Sequence, residues 1–223
     1  MKRKMTTSTR IIFVYLAAQL LPVPLTFLFP AEKQIAMSLT LAIIFAFLGT
    51  ITMIVINYKE KWTPEAPIIK ASSAPIPKVL LWGVLGFIAA ILIQIVASLI
   101  EQYLFGVPTE SANTENLREM TKAYPLLIFM ITVFAPVMEE FVFRKAIFTQ
   151  LNMSRVGLYG SAVISALLFA FIHFDGHYLL YGSLGLWFSY LYYKTNNIFT
   201  PMLAHGLMNA FASLPIYFPE LFQ

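Results

Sequence analysis

The stretch Met138-Glu139-Glu140-Phe141-Val142-Phe143-Arg144 decides the fold, because it sets charged side chains inside a predominantly apolar run, residues 125–148. Each such charge costs about 2.5–3.5 kcal/mol near the centre of a membrane helix, so these groups normally face a protein interior. On a helix, Glu140 and Arg144 are four residues apart and can form an ion pair. Glu139 points about 100° away and lacks that partner. We therefore expect Glu139 to be free to act as a base.

The composition is that of an integral membrane protein. Of 223 residues, 59% are hydrophobic and 12% are charged, and the mean hydropathy is +0.74. The net charge of +4 comes from loops, so it indicates membrane orientation and not nucleic-acid binding. The chain contains no cysteine, which excludes a disulfide, a thiolate nucleophile and a cysteine-ligated metal. Without a repeat or a soluble segment, residues 1–223 are predicted to form a single membrane domain.

Apolar runs predict an all-α fold, a polytopic membrane bundle of about seven transmembrane helices with an intramembrane cavity. The first run follows a basic N-terminus and is interpreted as a retained helix bent at Pro22 and Pro24. Residues 57–78 are interpreted as an irregular linker, and the acidic loop 101–124 as carrying a surface helix at 116–123. The predicted spans are residues 11–29, 35–56, 79–100, 125–151, 156–174, 178–193 and 198–218.

Basic residues in the connecting segments indicate the orientation. With the N-terminus inside, twelve of the fifteen lysines and arginines lie in cytoplasmic segments or, for Arg144 and Lys145, in the cytoplasmic half of the fourth span, and the opposite side holds only Lys33, Arg118 and Lys122. This bias predicts a cytoplasmic N-terminus in a cell (plasma) membrane.

Three further polar side chains lie inside apolar spans: His173 in the fifth, and His205 with Asn209 on one face of the seventh. Helix rise puts Glu139 about 20 Å and His173 about 24 Å from the turn that joins their helices. The groups can therefore meet. A carboxylate near imidazoles can take a proton from water, and His or Asn can donate to a tetrahedral oxyanion.

Other uses of these groups remain open. Glu139, His173 and His205 also form a possible zinc set, although no H-E-x-x-H motif fixes a ligand pair. A single intramembrane His or Asn can serve only to join helices. A Glu–Arg pair can be structural, and two glutamates can form a proton relay in a transporter, although no inverted repeat supports transport.

The ordered set of Glu139-Glu140-x-x-x-Arg144, Phe169-x-x-x-His173 and His205-x-x-x-Asn209 resembles the signature of the CAAX protease and bacteriocin-processing (CPBP or Abi) family. This family includes the type II CAAX prenyl endopeptidases. The resemblance covers residues 125–218 and implies that they form the protease core, whereas the helices of residues 1–124 carry no motif. It implies a catalytic Glu139 that activates water with His173, an oxyanion site of His205 and Asn209, and supporting roles for Glu140 and Arg144.

We therefore expect an intramembrane endopeptidase that cleaves membrane-associated protein or peptide substrates, CAAX-like or other, within the lipid bilayer. No cofactor is firmly implied, and the motifs favour a metal-free mechanism over zinc. The alternative is a non-proteolytic membrane scaffold or bacteriocin-immunity protein of the same fold. The physiological substrate, and whether it is prenylated, does not follow from the residues.

Overall fold

The computed structural model describes residues 5–59, 73–108, 111–218 and 220. Within these ranges the chain forms eight helices and no strand. Long apolar runs favour helices in a bilayer, because a helix satisfies all its backbone hydrogen bonds internally. Each of the seven apolar runs corresponds to one helix, and the eighth helix is the surface helix of the acidic loop. The all-α prediction is confirmed.

The first three helices are α1 (Thr7–Thr26), α2 (Ala31–Lys59) and α3 (Ile76–Phe105). Among the described helices, these three are long and apolar enough to cross a membrane by length and composition. The α-helical path of α1 is interrupted at Leu21 and resumes at Pro22, as expected from its prolines. Of the predicted linker, residues 57–59 belong to α2 and residues 60–72 lie outside the described residues.

The remaining helices are α4 (Ala112–Ala123), α5 (residues 127–152), α6 (Gly157–Phe171), α7 (Tyr178–Thr195) and α8 (Phe199–Tyr217). Helix α4 begins four residues before the predicted start at Asn116. The reason is an N-terminal cap, because the Ser111 hydroxyl accepts a hydrogen bond from the Thr114 amide at 3.2 Å.

Helix α5 is not a regular α-helix. Two π-helical stretches, Met130–Phe134 and Phe141–Phe148, flank the α-helical segment Ala135–Glu140. Pro136 has no N–H, so a carbonyl in the preceding turn lacks its helical donor. Neighbouring helices supply donors to this turn: Asn209 of α8 donates to the Ile131 carbonyl at 3.0 Å, and Thr50 of α2 to the Phe134 carbonyl at 3.4 Å.

Helices α1 and α5 run in opposite directions, whereas α3 and α8 run parallel, because Asn197 before α8 donates to Ser73 before α3 at 2.9 Å. Ser8 at the start of α1 donates to Gln150 at the end of α5, which fixes one end of the bundle. Ser111 before α4 donates to Asp175 between α6 and α7 at the other end. Helix α5 lies in the interior, with Phe141 and Phe148 almost fully buried, whereas α2 and α3 expose isoleucines and leucines on their outer faces. Such a surface suits lipid contact.

Candidate active site

Glu140 and Arg144 form a buried ion pair on α5. Both side chains are fully buried, and Arg144 Nε lies 3.1 Å from Glu140 Oε2. His205 of α8 donates from Nδ1 to the other carboxylate oxygen, Oε1, at 3.0 Å. Arg144 also donates from Nη2 to the Gly185 carbonyl of α7 at 3.2 Å. One carboxylate and one guanidinium thus join three helices.

Aromatic rings enclose this pair. The guanidinium carbon of Arg144 lies 4.6 Å from the ring centre of Phe169 and 5.4 Å from that of Phe188, distances at which a cation is attracted to a ring face. Phe188 in turn stacks on His205, with ring centres 4.8 Å apart and planes within 18°. The rings exclude water, so each charge depends on its protein partners.

Glu139 lies in a different environment. Its side chain is 13% exposed and lines a cavity of about 820 Å³. Its Oε2 lies 3.8 Å from Nε2 of His205, which is too long for a direct hydrogen bond but a distance that one water can bridge. Because Nδ1 of His205 already donates to Glu140, Nε2 of a neutral His205 carries a lone pair that faces the cavity.

His173 follows the end of α6, and its ring also lines the cavity. Its Nδ1 lies 2.8 Å from the Phe169 carbonyl. A carbonyl can only accept, so Nδ1 carries the proton and Nε2 is left as a base. The same geometry holds catalytic and metal-binding histidines in one tautomer in other proteins.

The four residues predicted to be catalytic all line one cavity. Glu139 is the only acidic side chain among its described lining residues, which also include His173, His205 and Asn209. Glu140 and Arg144 are not among the described lining residues; they are buried next to Glu139 and His205, on the side away from the cavity. The structure thus brings to one cavity the residues that helix rise placed at similar depth, and their catalytic roles stay predictions.

Asn209 differs from the expectation in one respect. Its amide was expected to face the substrate as an oxyanion donor, and one N–H is instead bonded to the Ile131 carbonyl. An amide has two N–H groups, so a second donor remains. Asn209 therefore has a structural contact in addition to any catalytic one.

Several cavity-lining residues were missed in the sequence. Tyr15 and Gln19 of α1 and Gln94 of α3 line the cavity, as do Ser111 and Tyr181. Tyr15 is buried, and its hydroxyl lies beside the Gln19 side chain and within electrostatic range of Glu139. Gln19 and Gln94 could have been identified from the sequence. Both amides lie inside apolar runs, and polar groups at such depth usually have a function.

The zinc interpretation has no ligand set in the part of the chain that the structure describes. No three His, Cys, Asp or Glu side chains there are grouped so that they could hold a metal ion. Glu139, His173 and His205 line the same cavity without converging on one point in this way.

The fold and the cavity define a class: a polytopic helical membrane protein with a carboxylate–histidine site inside the bundle. Comparisons with known proteins agree with this class. A family model described as type II CAAX prenyl endopeptidase Rce1-like matches residues 121–211. The putative membrane peptidase YdiL of Bacillus subtilis (strain 168) is 30% identical over 211 residues, which are 90% of this chain and 85% of that protein.

Two other relatives extend the comparison. The membrane-embedded CAAX protease MroQ of Staphylococcus aureus (strain USA300) is 29% identical with the same coverage of 90% and 85%. The UPF0177 protein YvdC of Lactococcus lactis subsp. lactis (strain IL1403) is 31% identical over 57% of this chain and 49% of that protein. No solved structure matches the chain. The chain belongs to the Rce1-like family of type II CAAX prenyl endopeptidases, and it is a membrane-embedded peptide hydrolase.

Proposed function

We propose that this protein is an intramembrane endopeptidase that cleaves membrane-associated protein substrates with water activated by Glu139. The observation that carries the proposal is the contrast between two adjacent carboxylates. Glu140 is fully buried and bonded to Arg144 and His205, whereas Glu139 faces the cavity, with its Oε2 3.8 Å from Nε2 of His205. Only Glu139 has an open side from which it can take a proton.

In the proposed reaction, a water molecule lies between Glu139 and the free Nε2 of His173. Glu139 takes one proton from this water as its oxygen attacks the carbonyl carbon of the scissile peptide bond. The tetrahedral intermediate then collapses, the C–N bond breaks, and the proton passes from Glu139 to the departing amine. The products are a new carboxyl end and a new amino end, and no other reactant is consumed.

The oxyanion of the intermediate requires donors in the same cavity. The second N–H of Asn209 is one candidate. Nε2 of His205 is the other, and it can donate only when the ring is doubly protonated, because Nδ1 already donates to Glu140. In that state the Glu140 carboxylate, 3.0 Å from Nδ1, is the counter-charge of the ring.

We also propose a cell-membrane location with the N-terminus inside. The cavity then opens near the outer end of the bundle, since Ser111, Asn113 and Arg118 of the loop and helix α4 line it. Substrates of this enzyme would be cut close to the outer face of the membrane.

Comparing protein termini in membranes of cells that express wild type or Glu139→Ala tests the proposal. New termini should appear only with wild type, and Glu119→Ala on exposed α4 should behave as wild type. Equal abundance of all three proteins is the required control. The absence of any Glu139-dependent terminus would overturn the proposal and favour the scaffold or immunity alternative.

A reconstituted assay addresses the substrate and the metal. The probe is an internally quenched peptide ending in a farnesylated CAAX sequence, with the unprenylated peptide as its control. We expect cleavage to survive prolonged chelation, and purified protein to carry no stoichiometric zinc by elemental analysis. One zinc per chain, lost together with activity in His205→Ala, would contradict the metal-free mechanism.

A further inference from the structure

Unlike the other predicted site residues, His173 does not lie on a helix. Helix α6 ends at Phe171, and His173 lies in the turn that leads to α7. In this turn Phe174 and Gly176 adopt positive φ angles of 52° and 89°. A catalytic side chain on a turn needs support from its neighbours to keep a single orientation.

Tyr181, in the first turn of α7, supplies such support. Its ring stacks on the His173 imidazole with ring centres 3.6 Å apart and planes within 17°. Phe169 meets the same imidazole edge-on at 4.9 Å. The His173 ring is therefore held by two aromatic rings and by the hydrogen bond from Nδ1 to the Phe169 carbonyl. Rotation of the ring would break the stack and that bond together.

The phenol of Tyr181 is itself fixed at its far end. Its hydroxyl donates to Asp175 Oδ2 at 3.1 Å and lies 2.9 Å from the Ser111 hydroxyl. Ser111 also donates to Asp175, so the three side chains form a closed cluster. Asp175 is fixed in turn, because its other oxygen accepts from the His177 amide at 3.2 Å. Tyr181 is thus held both at the ring and at the hydroxyl.

We propose that Tyr181 is the positioning residue of His173, and that the Ser111–Asp175 pair fixes Tyr181. The inference rests on the proposed function, in which Nε2 of His173 holds the attacking water. The stack defines the plane of the imidazole and so the direction in which Nε2 points into the cavity. Ser111 is also the N-cap of α4. The cluster therefore links the orientation of the His173 ring to the position of α4.

Histidine NMR tests the positioning without any substrate. The chain has three histidines, so ring signals of histidine-labelled protein are assigned by single His→Gln variants. Tyr181→Leu should move the His173 ring signals, because it removes the stacked ring, and should leave the His205 signals unchanged. Tyr181→Phe keeps the ring and should retain most of the wild-type shift. Ser111→Ala should give a smaller displacement, and it tests the cluster if Tyr181→Leu does not fold.

Tyr190→Leu is the matched control. Tyr190 lies on the same helix and also stacks on an aromatic ring, that of Trp187 at 5.3 Å, but it lies outside the cavity. This variant should leave all three histidines and the cleavage rate unchanged. His173 signals that stay in place in both Tyr181→Leu and Ser111→Ala would overturn the proposal.

Kinetics on the farnesylated peptide provide the second arm. Tyr181→Leu should lower kcat by up to about 10²-fold with little change in KM, since misplacing a catalytic group has effects of this size. Tyr181→Phe should recover most of that loss. In a His173→Ala background, Tyr181→Leu should cause no further loss. Fully additive losses would overturn the proposal. Lack of cleavage by wild type would contradict only the proposed function, because the NMR arm still decides the role of Tyr181.

Discussion

At the scale of single residues, Glu139 and Glu140 are adjacent in the chain and have opposite surroundings. Glu140 has no exposed surface and contacts a guanidinium and an imidazole. Glu139 keeps 13% of its side chain exposed to the cavity. Their spacing from Arg144 was enough to predict this difference. Glu140 lies four residues before Arg144 and can pair with it on a helix, whereas Glu139 lies five residues before it and cannot.

The first prediction separates the two glutamates by effect. Glu140→Gln should destabilise the fold by about 3–5 kcal/mol, because Arg144 is left buried without its counter-charge. Glu139→Gln should abolish cleavage and leave thermal unfolding close to that of wild type. Unfolding of the purified proteins in detergent, followed by tryptophan fluorescence, measures the difference.

Glu119→Gln is the control for this pair. Glu119 forms an exposed ion pair with Lys122 on α4, and exposed pairs contribute little to stability. Neither stability nor cleavage should change. Equal loss of stability in Glu139→Gln and Glu140→Gln, with activity following the amount of folded protein, would contradict the division of roles.

The second prediction concerns Asn209. Removing one oxyanion donor lowers kcat by about 10²–10³-fold in other hydrolases, and we expect Asn209→Ala to do the same. The structure adds a loss of stability of about 1–3 kcal/mol, because the Ile131 carbonyl loses its donor. Ser213→Ala is the control, since Ser213 lines the same cavity and donates within its own helix, to the Asn209 carbonyl. A variant that loses stability but not rate would leave Asn209 with a structural role alone.

At the scale of elements, α5 and α8 approach each other unusually closely. A side-chain carbon added at Gly206 of α8 would lie 2.7 Å from the Thr132 carbonyl oxygen of α5. This contact comes in the π-helical turn before Pro136, where the backbone departs from the regular helix. The close approach brings His205 and Asn209, on either side of Gly206 in sequence, to α5.

The third prediction tests this contact. Gly206→Ala should force α8 away from α5, destabilise the protein by about 1–3 kcal/mol and reduce cleavage. Gly182→Ala on α7 is the matched control, because an added carbon there meets nothing within 4 Å. That control should be neutral or stabilising by about 0.5–1 kcal/mol, since alanine favours a helix over glycine. Denaturation and cleavage are measured on both. A Gly206→Ala protein as stable and active as wild type would contradict the tight contact.

A structural element could be predicted where the residues that cause it lie within the same stretch of sequence. Apolar runs predicted seven of the eight described helices, because a helix satisfies its backbone hydrogen bonds internally in a bilayer. The part of the irregular course of α5 that has a local cause is the turn before Pro136, which lacks an N–H. The extent of the irregular course depends on donors from Thr50 and Asn209, which lie on other helices. Spacing rules within one helix carry no information about such partners.

At the scale of the whole molecule, the motif-free N-terminal helices take part in the site. Tyr15 and Gln19 of α1 and Gln94 of α3 line the same cavity as Glu139. The signature motifs could not reveal them, because these residues approach the site only through packing between helices. The division at residue 124, which follows the motifs, therefore does not separate a catalytic half from an inert one.

The fourth prediction concerns the orientation of the whole bundle. Because the chain has no cysteine, single cysteines report accessibility without interference. Asn116→Cys on α4 should react with membrane-impermeant thiol reagents in intact cells, and Ser154→Cys between α5 and α6 only with permeant ones. Both positions are exposed, whereas Ser111 is buried and is unsuitable. The reverse pattern would overturn the proposed orientation.

The contact between Glu140 and His205 has a consequence for biogenesis. The two residues are 65 positions apart, so a ribosome adding about 5–20 residues per second makes His205 roughly 3 to 13 seconds after Glu140. During that interval the nascent α5 carries its carboxylates and Arg144 without the imidazole that later completes the buried network. We therefore expect insertion machinery to shelter α5 from lipid until α8 is translated. A nascent chain stalled before Phe199 should remain bound to that machinery or be degraded.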